Sequence, residues 1–343
     1  MAETLHYRAL ALQVACDAVN ADAEPGAARA RMAASLERLA GQVRSSKMFI
    51  GQDVKLVVLP EYFLSGYPMG ESIDAWAAKA ALEPGGPEYE RLSRMAQDNG
   101  VFLAGNVYEL DTHFPGLYFQ TCFVLAPNGD QVLRYRRLNS MFAPTPHDVW
   151  EKFLDIYGLD GVFPVARTEI GNLAAIASEE ILYPEIARCH ALRGAEVFVH
   201  PTSEVGSPGQ TPKDVAKRAR ALENMAYVVS ANSAEVRGTP LPSASTDGMS
   251  KLVDYLGNVM VEAGYGETMV ANAEIDLAAL RRHRRRPGMA NYLSRQRLEL
   301  FAQTYAGTSV YPADSLADKV PTRAHFVETQ RAVIEKLSES GVI

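Results

Sequence analysis

The sequence predicts a mixed α/β protein, and three observations carry that prediction. Short, wholly apolar runs alternate with stretches of helical spacing along most of the chain. Pro127-Asn128-Gly129-Asp130 reads as a tight hairpin turn, so the sheet is not wholly parallel. With 343 residues, 47% of them hydrophobic, there is material for one large core or two ordinary ones.

In chain order, Tyr7 to Ala15 is expected to be a buried strand. Gly26 to Val43 is expected to be a helix, with Ala30, Met32, Leu36 and Leu39 on or near one side. Val54 to Leu59 is a short apolar strand candidate that runs into the turn-rich stretch Pro60 to Pro68. Tyr89 to Asn99 predicts a helix, and Val101 to Tyr108, Tyr118 to Ala126 and Gln131 to Arg136 predict strands. Leu138 to Asp160 reads as a long irregular loop, of the length that is usually functional or mobile.

The stretch 171–204 is the most informative. An apolar run, Leu173 to Ala177, stops at Ser178; Tyr183-Pro184-Glu185 opens a helix; Glu196 to His200 is a second strand-like run. A side chain where a strand turns into a helix lies near the free N–H groups of the first turn, which stabilise developing negative charge. Pro212 to Met225 then predicts a helix and Ala226 to Asn232 a strand. A strand pair is expected to turn at Tyr255-Leu256-Gly257-Asn258, and Met269 to Ile275 is the last clear strand. The organisation expected is a domain over residues 1–280 and a helical, irregular tail over 281–343.

Composition removes several function classes. A net charge of −7 argues against a nucleic-acid partner, and the run Arg281 to Arg286 reads as a solvated helix face or a subunit contact. Cys16, Cys122 and Cys189 are odd in number and widely spaced, which fits neither a disulfide framework nor a zinc site and predicts a cytoplasmic setting. No apolar run approaches the ~18 residues of a membrane span. Cys16-Asp17-Ala18-Val19-Asn20 offers no glycine-rich turn for a dinucleotide. The seven histidines are scattered, with no metal-binding pattern, so neither a metal nor another cofactor is expected.

Five motifs occur in an order that resembles the nitrilase superfamily of carbon-nitrogen hydrolases. They are Leu59-Pro60-Glu61-Tyr62-Phe63 with Gly66-Tyr67-Pro68, Tyr135-Arg136-Arg137, the unit from Tyr183 to Glu196, Arg220 to Val229, and Gly248-Met249-Ser250. The aliphatic amidase and carbamoyl-amidase branches look nearest. The resemblance implies a four-layer α-β-β-α sandwich, paired into a homodimer or higher homo-oligomer. It also implies a small amide, carbamoyl compound or nitrile as substrate.

Carried over residue by residue, the family's general-base glutamate is Glu61. Its lysine falls on Arg137, and its cysteine, seven residues before Glu185, falls on Ser178. A second family glutamate would fall near Thr145, where only a shifted role for Glu151 could restore it. Tyr67, Glu179, Glu180, Tyr183 and Thr202 are the expected substrate-binding residues.

These departures change the chemistry. A thiol, with a free pKa of ~8.5, is readily made thiolate, whereas a serine hydroxyl needs a base, usually histidine, during attack. Arginine keeps its proton, so Arg137 can stabilise an oxyanion but cannot shuttle protons. Three readings follow: a hydrolase with an altered Glu61–Arg137–Ser178 triad and slow turnover, a silent pseudoenzyme that binds small molecules, or a thiol amidase whose cysteine has been replaced. His147 is the first candidate to activate the serine. Ser178 could instead be a helix-entry cap, and Arg137 a structural clamp on Glu61.

Overall fold

A computed structural model describes residues 4–246 and 248–343. Its strands are β1 (His6–Ala11), β2 (Ala15–Asp17), β3 (Val54–Val58), β4 (Phe102–Leu110), β5 (Tyr118–Leu125), β6 (Gln131–Arg136) and β7 (Ala166–Thr168). They continue with β8 (Gly171–Ala175), β9 (Val197–Thr202), β10 (Tyr227–Asn232), β11 (Glu235–Arg237), β12 (Lys251–Val253), β13 (Val259–Glu262) and β14 (Asn272–Asp276). The helices are α1 (Pro25–Ile50), α2 (Ile73–Ala80), α3 (Pro87–Asn99), α4 (Trp150–Val162), α5 (Pro184–Leu192), α6 (Pro212–Asn224), α7 (Leu277–Arg285), α8 (Glu299–Gly307) and α9 (Arg323–Glu339).

Strand alternation builds the layers. Two six-stranded sheets form, in the orders β14-β1-β3-β4-β5-β6 and β13-β12-β10-β9-β8-β7. Successive side chains of a strand point to opposite faces. Ala9, Ala11, Leu56 and Val58 accordingly meet Ala175, Val197, Val199 and Val229 between the sheets. Leu10 and Val57 face outward onto Met32, Leu36 and Leu92 of α1 and α3, while Ala174, Phe198 and Val228 face Ala187, Ala216 and Ala221 of α5 and α6. This is the expected α-β-β-α sandwich. Among the described residues no helix is long and apolar enough to cross a membrane.

Three stretches differ from the sequence reading. The first strand ends at Ala11, and Ala15–Asp17 peels away to pair with β11. The stretch Ile73–Ala80, unread in the sequence, is a helix capped by Ser72. Most of the expected 138–160 loop is ordered. Thr145 and Asp148 form a capping box, a 3-10 turn follows, and α4 runs on with a kink at Gly158, whose φ is 60°. Pro144, Pro146, Gly158 and Gly161 masked that helix.

The basic run divides: Arg282, Arg285 and Arg286 are exposed, as a solvated helix face would be, while Arg281 and Arg284 bond to the core. Arg281 forks onto the Glu196 carboxylate at 2.6 and 2.8 Å. Arg284 donates to the carbonyls of Met225 at 2.9 Å and Ala195 at 2.6 Å, tying α7 to the second sheet's helical layer. Further on, Leu316 and Phe326 are buried in the same apolar cluster as α1 and α4. Much of α8 is exposed, Leu300, Phe301 and Tyr305 included.

Candidate active site

Glu61, Arg137 and Ser178, far apart in sequence, follow β3, β6 and β8 and meet at one end of the two sheets. Glu61 is 3% exposed. Its Oε1 accepts from Gln120 Nε2 at 2.8 Å and Arg137 Nη1 at 3.2 Å, and its Oε2 accepts the Ser203 N–H at 3.1 Å. The Glu61 N–H donates to the Thr202 carbonyl at 3.2 Å, which ties the first sheet to the end of β9 in the second. The loop beyond it turns back at Gly66, φ 75°, where a Cβ would lie 2.6 Å from that of Ala18.

Arg137 spreads its guanidinium over four acceptors. Nη1 also donates to Gln120 Oε1 at 2.7 Å, Nε to the Asn139 carbonyl at 2.6 Å, and Nη2 to the Glu179 carboxylate. Burial opposes the charge, but Glu61 and Glu179 outweigh it and hold the pKa above the ordinary arginine value. Arg137 is therefore a permanent cation. It is also the bidentate-type clamp that a lysine could not reproduce.

Ser178 sits between β8 and a 3-10 turn, with its backbone in the left-handed region at φ 49°. Such a φ is uncommon for a residue other than glycine, and its strain is held by surroundings. Here His200 supplies the hold. Its Nε2 lies 2.8 Å from the Ser178 carbonyl, and its Nδ1 2.8 Å from Ser230 Oγ. A carbonyl only accepts, so Nε2 carries the proton and Nδ1 accepts from Ser230. Burial, together with nearby Lys217, lowers the His200 pKa to about 3, so the ring stays neutral. Because it faces the carbonyl and not Oγ, His200 positions the serine without activating it.

His147, expected as the first activating candidate, makes no contact with Ser178. Its ring packs between Trp150 and Tyr311, with centroids 5.8 and 6.3 Å away. Thr145 is occupied by its capping box, and Glu151 is exposed on α4, so neither restores a second carboxylate. Glu179 does stand beside Arg137. Its backbone N–H has no acceptor among the described residues. That leaves it available to an oxyanion formed at Ser178.

The other expected pocket residues divide. Tyr67 and Glu179 line a cavity of about 710 Å³ with Tyr62, Tyr108, Gln120 and Arg137. Tyr183 and Glu179 border a second cavity beside it. Thr202 is buried, with Oγ1 3.4 Å from Ser178 Oγ. Glu180 turns inward, away from both cavities. It accepts from Tyr135 Oη at 2.7 Å and from the N–H groups of Leu138 and Asn139 at 2.7 and 2.9 Å, which fixes the turn after Arg137. Cys16 and Cys122 are buried away from the serine, and burial raises both thiol pKa values.

Two features of the site escaped the sequence reading. Arg323, Val327 and Arg331, from α9 and its start, wall the 710 Å³ cavity. Lys213 extends from the first turn of α6 to Ser178 Oγ at 3.1 Å, Thr202 Oγ1 at 3.3 Å and the Ser203 carbonyl at 3.4 Å. The signal was present in Thr211-Pro212-Lys213-Asp214. A capping box marks the helix start, and a lysine in its first turn opposes the helix dipole.

The two-sheet sandwich thus brings a buried glutamate, a buried cation and a serine at a strand-to-helix turn to one end. Residues 9–285 match the family model described as carbon-nitrogen hydrolase, and the chain belongs to that family, the nitrilase superfamily. It is 28% identical over 227 residues to the omega-amidase NIT2 of Xenopus tropicalis, spanning 66% of this chain and 78% of that one. A probable nitrilase of Schizosaccharomyces pombe is 27% identical over 222 residues, 65% of this chain and 75% of its own length. In fold, the chain is similar to Nit3 of Saccharomyces cerevisiae, with a TM-score of 0.63 at 22% identity over 82% of this chain and 94% of that one. It is also similar to a carbon-nitrogen hydrolase of Helicobacter pylori, with a TM-score of 0.65 at 20% identity over 88% and 98% of the two chains.

Proposed function

We propose that this chain hydrolyses a small amide through Ser178, with Glu61 and Arg137 as the polar frame and the Glu179 N–H as oxyanion donor. The observation that carries the reading is the turn at Ser178: a hydroxyl held on left-handed backbone, followed by Glu179, whose N–H has no acceptor among the described residues and whose side chain lines the 710 Å³ cavity. Omega-amidase and nitrilase relatives support amides first and nitriles second. The test is ammonia release from a panel of short aliphatic amides, carbamoyl compounds and nitriles. Release that disappears in Ser178→Ala supports the reading, and release that persists refutes it.

One observation favours a second reading, binding without turnover. Glu61 and Arg137 already satisfy each other and their neighbours, so neither needs a substrate to complete its bonds. Saturable binding of an amide by calorimetry with no ammonia released would select it. The exposed Leu300, Phe301 and Tyr305 of α8 support placing part of the 281–343 tail at a contact between copies of the chain. Light scattering on the chain and on Leu300→Asp tests that assignment.

A further inference from the structure

The altered triad lacks a base for its serine, because Glu61 is bonded to Gln120, Arg137 and Ser203, Arg137 cannot give up its proton, and His200 faces the wrong atom. We propose that Lys213 is the general base of Ser178, forming a serine–lysine pair with Thr202 as the residue that orients it. This rests on the reading of Ser178 as nucleophile and names what activates it.

Geometry supports the pair. Lys213 Nζ has three partners: two hydroxyls and the Ser203 carbonyl. The Thr202 hydroxyl donates to Glu204 Oε1 at 3.4 Å, so it accepts from Lys213. The Ser203 carbonyl takes a second N–H, since a carbonyl only accepts. The amine's remaining position faces Ser178 Oγ, where a neutral amine can receive the serine proton without moving. The mount is rigid. Lys217 Nζ lies 2.6 Å from Glu204, and Lys251 Nζ 2.6 Å from Asp214, fixing the first turns of α6 against β9 and β12.

The charges around the amine set its proton affinity. Glu61, Glu179 and Glu204 face it from three loops, Lys217 lies on its own helix, and the start of α6 directs its dipole at it. Burial and Lys217 outweigh the carboxylates and lower the Lys213 pKa, which increases the neutral fraction that can act as base.

The step balances. Neutral Lys213 takes the Oγ proton as Ser178 attacks the amide carbon, and the carbonyl π pair moves to oxygen. The ammonium then protonates the leaving nitrogen, the C–N bond breaks, and ammonia departs from an acyl-serine ester. Water attacks the ester carbonyl while Lys213 takes its proton; Oγ leaves with that proton and the acid is released. Under this proposal the serine is activated, and turnover should exceed the slow hydrolysis expected of the triad alone.

The test uses the full chain with a fluorophosphonate, which reports serine activation independently of amide fit. The rate of adduct formation at Ser178 is followed by mass spectrometry from about pH 6 to about pH 10. Labelling should rise with pH through a midpoint below that of an ordinary lysine. Lys213→Gln and Lys213→Arg should each slow it by about 10²-fold or more and flatten the profile. Ser178→Cys should lose less on removal of Lys213, because a thiol needs a weaker base. An unlabelled Ser178 in the unaltered chain, or undiminished labelling in Lys213→Gln, overturns the proposal. So does full labelling in Lys213→Arg, which keeps the charge and decides the matter if Lys213→Gln fails to fold. Lysine-dependent labelling with no ammonia released from the amide panel leaves the pair standing and refutes the amidase reading instead.

Discussion

The two banks of the site are held in different ways. On the first-sheet side, both oxygens of Glu61 and three nitrogens of Arg137 are bonded to protein, and Glu180 pins the backbone that follows. On the second-sheet side, Ser178 rests on left-handed backbone, Glu179 has a free N–H, and the lysine is held by two hydroxyls and one carbonyl. A saturated network is rigid, since each bond it loses strands a buried partner. Hydroxyls that can both donate and accept leave a proton free to move. The first bank is therefore the rigid one, and the second is where the proposed nucleophile and base lie.

Substitution on each bank sharpens that contrast. Ser178→Ala should have the largest effect, about 10³-fold or more in kcat for ammonia release, with unfolding in urea displaced by less than about 1 kcal/mol. Arg137→Lys should do the reverse. A lysine cannot span Glu61, Gln120, Asn139 and Glu179, so stability should fall by about 1 to 3 kcal/mol and kcat by about 10-fold to 10²-fold. Equal stability losses in the two variants would erase the distinction between banks.

Phe326→Ala tests the cavity wall that both banks share. Removing a buried phenylalanine should cost about 3 to 5 kcal/mol of tail docking. Limited proteolysis should then cut near α9, and KM should rise more than kcat falls. Unchanged KM would show that α9 does not shape the substrate cavity.

Glu180 should show itself only in the pH dependence of stability. Burial raises this carboxyl to about 7, against the opposing influence of Arg137 and its hydrogen bonds. Between its ordinary value of 4.5 and 7, the folded chain binds more protons there than the unfolded chain, so stability falls as pH rises through that window. Glu180→Gln should flatten the decline, on the order of 3 kcal/mol, in urea titrations across the window. An identical slope in the variant would assign the decline to another group.

What was legible in the sequence is what single strands and their ends determine. Val54 to Leu59 and Leu173 to Ala177 read as buried strands because their apolar runs are short and bounded by turn residues. The grouping of Glu61, Arg137 and Ser178 came from the resemblance to the nitrilase superfamily, in whose motif order each ends or follows a strand. Lys213 was hidden because its role depends on where α6 docks, and only its poor fit to the helix dipole marked it. The α4 helix was hidden by the prolines that precede it, Pro144 and Pro146, and by its own Gly158 and Gly161. Arg323 and Arg331 were hidden by distance, since nothing local connects them with Tyr67 across the cavity.

The cavity lined by residues from Tyr62 to Arg331 also bears on the order of events during synthesis. A ribosome releases the two-sheet core first, and domains fold as they emerge. Ser178 and Lys213 can be in register before α9 has emerged, when the cavity beside Arg137 and Glu179 still lacks one wall. The cavity is therefore completed only by a segment far downstream of Ser178 and Lys213 in sequence, and a chain cut before α9 would leave Arg137 and Glu179 more open to bulk water.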